Sequence, residues 1–441
     1  MIVGTSQVDI TPPTGSELSG FAARVQPSTG VLDRLFARAL YLVADDHKVL
    51  WVHCDLIGFD RESVQVFRQW AGQVFGLREN QVLLSATHTH AGPCTIHLRE
   101  AGEYDSAYVA FLLTRLREAT HSAMARLQSC ELVAVEGRAE LAIDRRKTAS
   151  SHTDPRVAAL GFRCNDGTFA SVIVNYPIHP VALGPNNRMV SADISGQTAS
   201  ILQEQLPGNP VVLVTNGACA NLNPPAENVN FSQVTQWGGI IANAVCGLLK
   251  TGASDPGAKL RTLTRQVPLP REILDVDGIN KFADRALNDR GPLEQWGDKY
   301  VRVVEHWRKY LLKNGNGQNE IGPEAELFGL QIGSIILLGV NAEVFSRFTD
   351  MLRENVHDKV YLLGYANGDM GYLPTLAAYS EGGYEVDIAH LFYGGFRFKA
   401  GGLELLMTSA SDLLQQLEKG PEDRADRDGD SKSRVAAEAQ K

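Results

Sequence analysis

No run of about 18 consecutive apolar residues occurs in the chain, so no membrane-spanning helix is expected. A basic excess is missing too: 42 Lys and Arg stand against 51 Asp and Glu, a net charge of −9. That argues against a general nucleic-acid binder, which carries a basic stripe. The six cysteines (Cys54, Cys94, Cys130, Cys164, Cys219, Cys246) form no Cys-x-x-Cys pair. This excludes a zinc knuckle and a disulfide scaffold and fits a reducing compartment. Cys94 and Cys219 sit near the motifs described below without a basic partner placed beside them, and both read as inert thiols. The first residues, Met1-Ile-Val-Gly-Thr-Ser-Gln-Val-Asp-Ile, have no basic segment, apolar core or cleavage site. No leader is expected, and the cytoplasm is the expected location. There is no internal repeat.

What is present is an ordinary globular balance, with 44% hydrophobic and 21% charged residues over 441 positions, enough for a large core. Strand and helix signals alternate. Apolar β-type runs at 40–43 and 48–54 flank Ala44-Asp-Asp-His47 as a hairpin, and helical spacing follows over 61–75. A strand at Val82–Leu84, an amphipathic helix over 106–127, and strands at 157–162 and 169–176 around Asn165-Asp-Gly167 come next. Helices over 198–206 and 234–249 and strands at 211–215, 327–330, 335–340 and 360–365 complete the pattern. The expected fold is one α/β domain over 1–419, with mixed sheets packed by helices. A polar helical hairpin over about 273–319 reads as an insertion, either a cover over the site or a solvated helix pair. Residues 420–441 are charged and poor in apolar residues, and are expected to be disordered.

The chemistry concentrates in five segments. In Ser85-Ala-Thr-His-Thr-His-Ala-Gly-Pro93, two histidines follow a buried strand. If the backbone stays extended, His88 and His90 point to the same side, which suits a metal ion or a paired acid/base site. In Asn175-Tyr-Pro-Ile-His-Pro180, proline stiffens the mount of His179. Nearby Asp193, in Ser191-Ala-Asp, reads as a helix cap or as a support for a ligand histidine. The small-residue loop Val214-Thr-Asn-Gly-Ala-Cys-Ala-Asn-Leu-Asn-Pro224 lets backbone approach a ligand. Asn216 and Asn223 on it are the candidates for substrate contact. Leu337–Val340 runs on to a lone acid, Glu343, for which a cation is the obvious partner and a helix cap the alternative. Last come the glycine-rich turns Gly364–Thr375 and Tyr379-Ser-Glu-Gly-Gly-Tyr384-Glu-Val, with tyrosines mounted on them.

Taken together in this order, these five segments resemble the catalytic domain of the neutral/alkaline non-lysosomal ceramidase family, from near the N-terminus to about residue 395. The resemblance implies a zinc-dependent amidase with one Zn2+ per chain, its ligands falling on His88, His179, Glu343 and Tyr372. It places His90 toward the substrate. The family's Asn-Arg motif matches Asp144-Arg145, making Arg145 the active-site arginine, with Arg146 the neighbouring alternative. The family's Tyr-Glu-Gly tyrosine maps onto Tyr384. Zinc lowers the pKa of a bound water from about 15.7 toward 7, and His90, Arg145 and Tyr384 are then left to stabilise the oxyanion or protonate the amine.

Two departures bear on the substrate. Asn223 stands where many ceramidases have serine, and neither the family's secretion signal nor its immunoglobulin-like C-terminal domain is read here. The expectation is therefore hydrolysis of a smaller amide, an N-acylated amine or amino sugar, with a lipid-like amide and true ceramidase activity as the alternative. An ester or lactone hydrolase and a metal-free binding relative are the rivals. No nucleic-acid partner is expected, and the oligomeric state is open.

Overall fold

The longer strand-forming runs sort into two main sheets, beside three two-stranded ladders, in the computed structural model, which describes residues 1–255, 259–288, 297–314 and 321–419. The first sheet has eight strands: β1 (Ile2–Asp9), β2 (Phe36–Ala44), β3 (His47–Cys54), β4 (Val82–Ala86), β5 (Leu127–Arg138), β6 (Arg156–Cys164), β7 (Phe169–Tyr176) and β8 (Val211–Asn216). Their spatial order is 8-7-6-5-1-2-3-4. Hairpin-type antiparallel pairs fill the middle, and each end carries a parallel pair, β3 with β4 and β7 with β8. A parallel pair needs a crossover, and here α1 (Arg61–Phe75) and α3 (Asp193–Gln205) supply them. The sheet curls until these two edges meet. His53 Nε2 on β3 lies 2.9 Å from Val214 O on β8, and Asn216 Nδ2 donates to Thr87 O at 2.8 Å. The carboxyl ends of β4, β7 and β8 thus converge, which is where α/β sheets hold their ligands.

The second sheet is β9 (Leu260–Pro270), β10 (Ile321–Ile332), β11 (Ile335–Val340) and β12 (Val360–Leu363), in that order. Leu40, Trp51, Leu83, Leu160 and Leu213 of the first sheet meet Phe328, Leu330, Leu337 and Leu363 of the second in one buried cluster. Helices cover the outer faces. On the first sheet these are α1 and α2 (Ser106–Met124) at one end, and α3 and α4 (Phe231–Thr251) at the other. Helix Gly402–Lys419 covers the second. A buried bidentate pair ties the layers together: Arg68 on α1 donates to both oxygens of Glu326 on β10, at 2.9 and 2.6 Å.

Local chemistry explains the boundaries. Asp60 accepts from Ser63 N at 2.6 Å to start α1, and Gly76, at φ 66°, ends it. Asp105 caps α2 through Tyr108 N at 2.8 Å. The expected helix over 106–127 stops at Met124, because Leu127 opens β5, which pairs antiparallel with β1 and β6. α3 begins at Asp193, five residues before its expected start at 198. β9 was not expected at all. Pro268 and Pro270 argue against a strand, but β9 lies at a sheet edge and its register shifts between them.

The expected 273–319 insertion takes shape as α5 (Val276–Asn288) and α6 (Asp298–Asn314). Ile279, Val303, Trp307 and Leu311 of the pair pack onto Leu391, Phe392 and Phe396, so it is docked rather than solvated on every side. Residues 289–296 and 315–319 of that range, and the expected tail at 420–441, lie outside the described residues.

Candidate active site

β4 ends at Ala86, and the chain then turns sharply: His88 takes φ 60°. The expected extended segment is therefore absent. His88 and His90 still face a common point, their ring centroids 5.0 Å apart, because the turn replaces the strand alternation. His88 Nδ1 lies 2.6 Å from Ile57 O, and its ring stacks on Tyr365 at 3.9 Å. His179 follows β7; its Nδ1 lies 2.8 Å from Cys219 O. A carbonyl oxygen only accepts, so each Nδ1 donates its ring hydrogen there and each Nε2 is the nitrogen turned to the site. Both Nε2 atoms face Glu343, whose Oε2 is 3.1 Å from His179 Nε2 and 3.7 Å from His88 Nε2; as neutral rings they would offer their lone pairs to a cation placed between them.

Glu343 and Tyr372 are register partners in a two-residue parallel ladder, Glu343–Val344 with Tyr372–Leu373. Residues 29 positions apart are thereby set side by side, and both line one cavity of about 620 Å³ together with His88, His90, Arg145, His179, Asn223 and Tyr384. Ligand atoms of His88, His90 and His179 lie within 4.8 Å of one another, as do those of His88, Glu343 and Asp369. Both ring nitrogens of His90 are buried without a hydrogen-bond partner. Two anchored imidazoles, a buried carboxylate and an unpartnered third imidazole form a donor set that fits a divalent cation of the zinc type.

The electrostatics follow from burial. Glu343 is held down to about 2: burial opposes its charge, but His179 and His88 outweigh that. His88 is pushed down to about 4, chiefly by burial, and His90 falls well below the ordinary histidine value for the same reason. Tyr372 and Tyr384 are raised by burial and then by the Glu343 charge.

Arg145, not Arg146, faces the cavity. The short ladder of Ile143–Asp144 with Leu222–Asn223 sets the direction. Arg145 donates to Glu385 Oε1, Asn223 Oδ1 and Ala220 O, and its Nη2 lies 3.4 Å from the Tyr372 hydroxyl. Arg146 turns away to the other oxygen of Glu385 at 2.7 Å and to Gly382 O.

Asn223 lies on the cavity, as the small-residue loop suggested. Asn216 does not: its amide, 1% exposed, is used to brace Thr87 O. It is therefore corrected from a substrate contact to a support of the His88 turn. Asp193 accepts from Ile194 N and from Leu183 N, so it both starts α3 and ties down the segment after His179.

Three participants escaped the sequence reading. Tyr365 stacks on His88. Tyr393 reaches both Glu343 Oε1, at 2.6 Å, and Asp369 Oδ2, at 3.0 Å. Asp369, pushed up to about 8 by burial and then by Glu343, lies 4.0 Å from His88 Nδ1. A polar residue in a glycine-rich turn looks like turn chemistry, and only an acid buried there marks it as something else.

Comparison with known proteins finds likenesses in sequence and in fold. Residues 1–132 match the family model described as neutral/alkaline non-lysosomal ceramidase, N-terminal. A neutral ceramidase of Pseudomonas aeruginosa is 26% identical over 216 residues, 44% of this chain and 32% of that protein. One of Drosophila pseudoobscura is 25% identical over 355 residues, 65% of this chain and 49% of that protein. Over these segments the chain is similar to neutral ceramidases. The crystal structure of the Pseudomonas aeruginosa enzyme superposes with a TM-score of 0.73 over 94% of this chain and 74% of that one, at 18% identity. A ceramidase complexed with C2 gives 0.74 at the same coverage. At that identity the likeness establishes the fold. The chain spans a third to a half of the length of the relatives it matches in sequence.

Proposed function

We propose that this chain hydrolyses the amide bond of an N-acyl lipid-like substrate, ceramide being the first candidate, at one zinc ion held by His88, His179, Glu343 and Tyr372. One observation carries the reading: the Nε2 atoms of two carbonyl-anchored histidines converge on a buried carboxylate inside a substrate-sized cavity. The bound cation supplies Lewis acidity and lowers the pKa of water.

The chain's own residues do the rest. Arg145 keeps its charge and is clamped by Glu385 and Asn223, so it offers a fixed cation to the oxygen on which negative charge develops. His90, with both nitrogens uncommitted, receives and returns the proton that must reach the departing amine. Tyr384, whose phenol holds its proton because of burial, serves as a donor across the cavity. Phe21, Ile57, Val181 and Phe392 give the cavity an apolar wall suited to an acyl chain.

The sequence alone favoured a small N-acylated amine or amino sugar. The names of the matched relatives shift the first choice to ceramide. The separating experiment compares release of fatty acid from a short-chain ceramide with release of acetate from N-acetylglucosamine, and with hydrolysis of a matched ester. Turnover of ceramide well above both supports the reading. Turnover of the ester or the sugar alone reassigns the substrate, and no turnover of any with zinc supplied rejects the proposal.

A further inference from the structure

Two of the six cysteines meet. Cys130 on β5 and Cys164 on β6 stand 34 positions apart in sequence, too far for any local thiol motif, yet they are register partners in the antiparallel ladder of the two strands. Their sulfurs lie 3.3 Å apart. Both backbone groups of Cys130 turn away from β6: its N–H donates to Met1 O at 2.9 Å, and its carbonyl accepts from the Met1 amine at 3.0 Å. The rung it shares with Cys164 is therefore of the non-hydrogen-bonded kind, in which facing Cα atoms are about 4.5 Å apart and the side chains come closest. A disulfide spans Cα separations of about 4.4–6.8 Å, so side-chain rotation is enough to close this rung.

The two thiols differ in access. Cys130 is 4% exposed, and its pKa is pushed up to about 12, chiefly by burial and then by the bond to Cys164. Cys164 is half-buried at the end of β6, with its Sγ 3.3 Å from Gln128 Oε1 at the surface. Cys54, Cys94, Cys219 and Cys246 are all buried. An oxidant arriving from solvent thus meets Cys164 first, with Cys130 directly behind it.

We infer that Cys130 and Cys164 form a thiol–disulfide exchange site that takes a small disulfide of the glutathione type and closes as a cross-strand disulfide. In the first step the Cys164 thiolate attacks one sulfur of the oxidant. A Cys164–glutathione bond forms, the oxidant's S–S bond breaks, and one glutathione leaves as the thiolate. That step also removes the Cys164 thiol that helps hold the Cys130 proton. Cys130 gives its proton to water and attacks Cys164 Sγ, and the second glutathione leaves. Two cysteines are oxidised, one glutathione disulfide is reduced to two glutathione thiols, and the two cysteine protons end on those thiols. The bond closes one end of the β5–β6 ladder. Arg138 and Arg156 form the rung at the other end, from which the segment carrying Arg145 emerges. The bridge is therefore a staple on the hairpin and not part of the cavity. The chain entropy it removes from the unfolded state raises Tm by about 4 °C.

The full chain is equilibrated over a series of reduced to oxidised glutathione ratios, quenched in acid, unfolded and alkylated with N-ethylmaleimide. Intact mass and peptide mapping, before and after reduction, then read the thiols. Expected at the oxidising end are four alkylated thiols of the six, one linked peptide pair joining Cys130 to Cys164, and a Tm about 4 °C above that of the reduced chain. Cys130→Ser should instead keep glutathione on Cys164, and Cys164→Ser should take up none at Cys130. Cys246→Ser, a buried control, should close the bridge as the wild type does. Six alkylated thiols at every ratio, a link between other cysteines or between two copies of the chain, or glutathione retained on wild-type Cys164 overturns the inference. The wild-type map decides this even where a variant fails to fold.

Discussion

Replacing Arg145 by glutamine separates catalysis from stability, because Glu385 is shared. Arg145 takes one oxygen of Glu385 at 2.8 Å and Arg146 the other at 2.7 Å. Removing Arg145 therefore leaves Glu385 paired, and the full penalty of about 3–5 kcal/mol for an orphaned buried charge does not apply. What is lost is the set of bonds to Glu385, Asn223 and Ala220 O. Part of it is recovered by the glutamine amide, leaving about 2–3 kcal/mol. For 441 residues, an unfolding entropy of about 2.1 cal/mol/K per residue converts this to a Tm drop of about 2–3 °C. Loss of a fixed oxyanion donor costs far more in rate, about 10²–10³ in kcat, or about 2.7–4 kcal/mol. Arg146→Gln loses a similar number of bonds and should show a comparable Tm drop, but it does not line the cavity, and its kcat stays within about tenfold. The assay is steady-state hydrolysis of a fluorogenic short-chain ceramide beside a thermal melt. Equal rates for Arg145→Gln and wild type, or equal losses in the two variants, would refute the reasoning.

Other outcomes follow from particular contacts. Arg68→Met strands the Glu326 carboxylate between the two sheets and should lower stability by about 3–5 kcal/mol in urea unfolding; a loss below 1 kcal/mol would mean that the layers do not depend on the pair. Gly20→Ala places a methyl group against the His90 ring at a backbone φ of 95°, so activity falls while the circular dichroism spectrum is kept, and an unimpaired variant contradicts the placement of His90. Buried His53 and His390 are both pushed down to about 3, chiefly by burial. Between that value and the unfolded value near 6.5 the unfolded chain binds more protons, so each contributes a stability loss of about 1.4 kcal/mol per unit as pH falls through this window. His53→Gln should flatten the urea-midpoint profile from pH 6.5 to 4, and an unchanged slope would show that His53 is not held neutral.

Where periodicity and turn chemistry agreed, the fold was legible. Helix 61–75 and strands 169–176 and 335–340 have the bounds their apolar spacing indicates, since Asp60 and Gly76 cap the first and Asn165-Asp-Gly167 turns into the second. Legibility ended where long-range pairing decides. β9 carries two prolines that only an edge position tolerates, and β5 starts where a helical pattern was still running. At the site, His88, His90, Arg145, His179, Glu343, Tyr372 and Tyr384 could be named from separated motifs and the family resemblance they carry, but their convergence comes from the curl of the first sheet and the short Glu343–Tyr372 ladder, which no local signal reports. The choice between Arg145 and Arg146 rests on a two-residue ladder. Asn216 shows the opposite error: a polar residue on a functional loop whose amide is used by the backbone of its neighbour. Asp369 and Tyr393 become visible only when burial is known.

Metal content tests the central claim most directly. Elemental analysis of the chain purified without added metal, beside His179→Ala prepared in the same way, should give about one zinc per wild-type chain and none in the variant. A wild-type chain without metal that also takes up none when zinc is offered would contradict the account and leave the converging histidines as a binding pocket without hydrolytic chemistry.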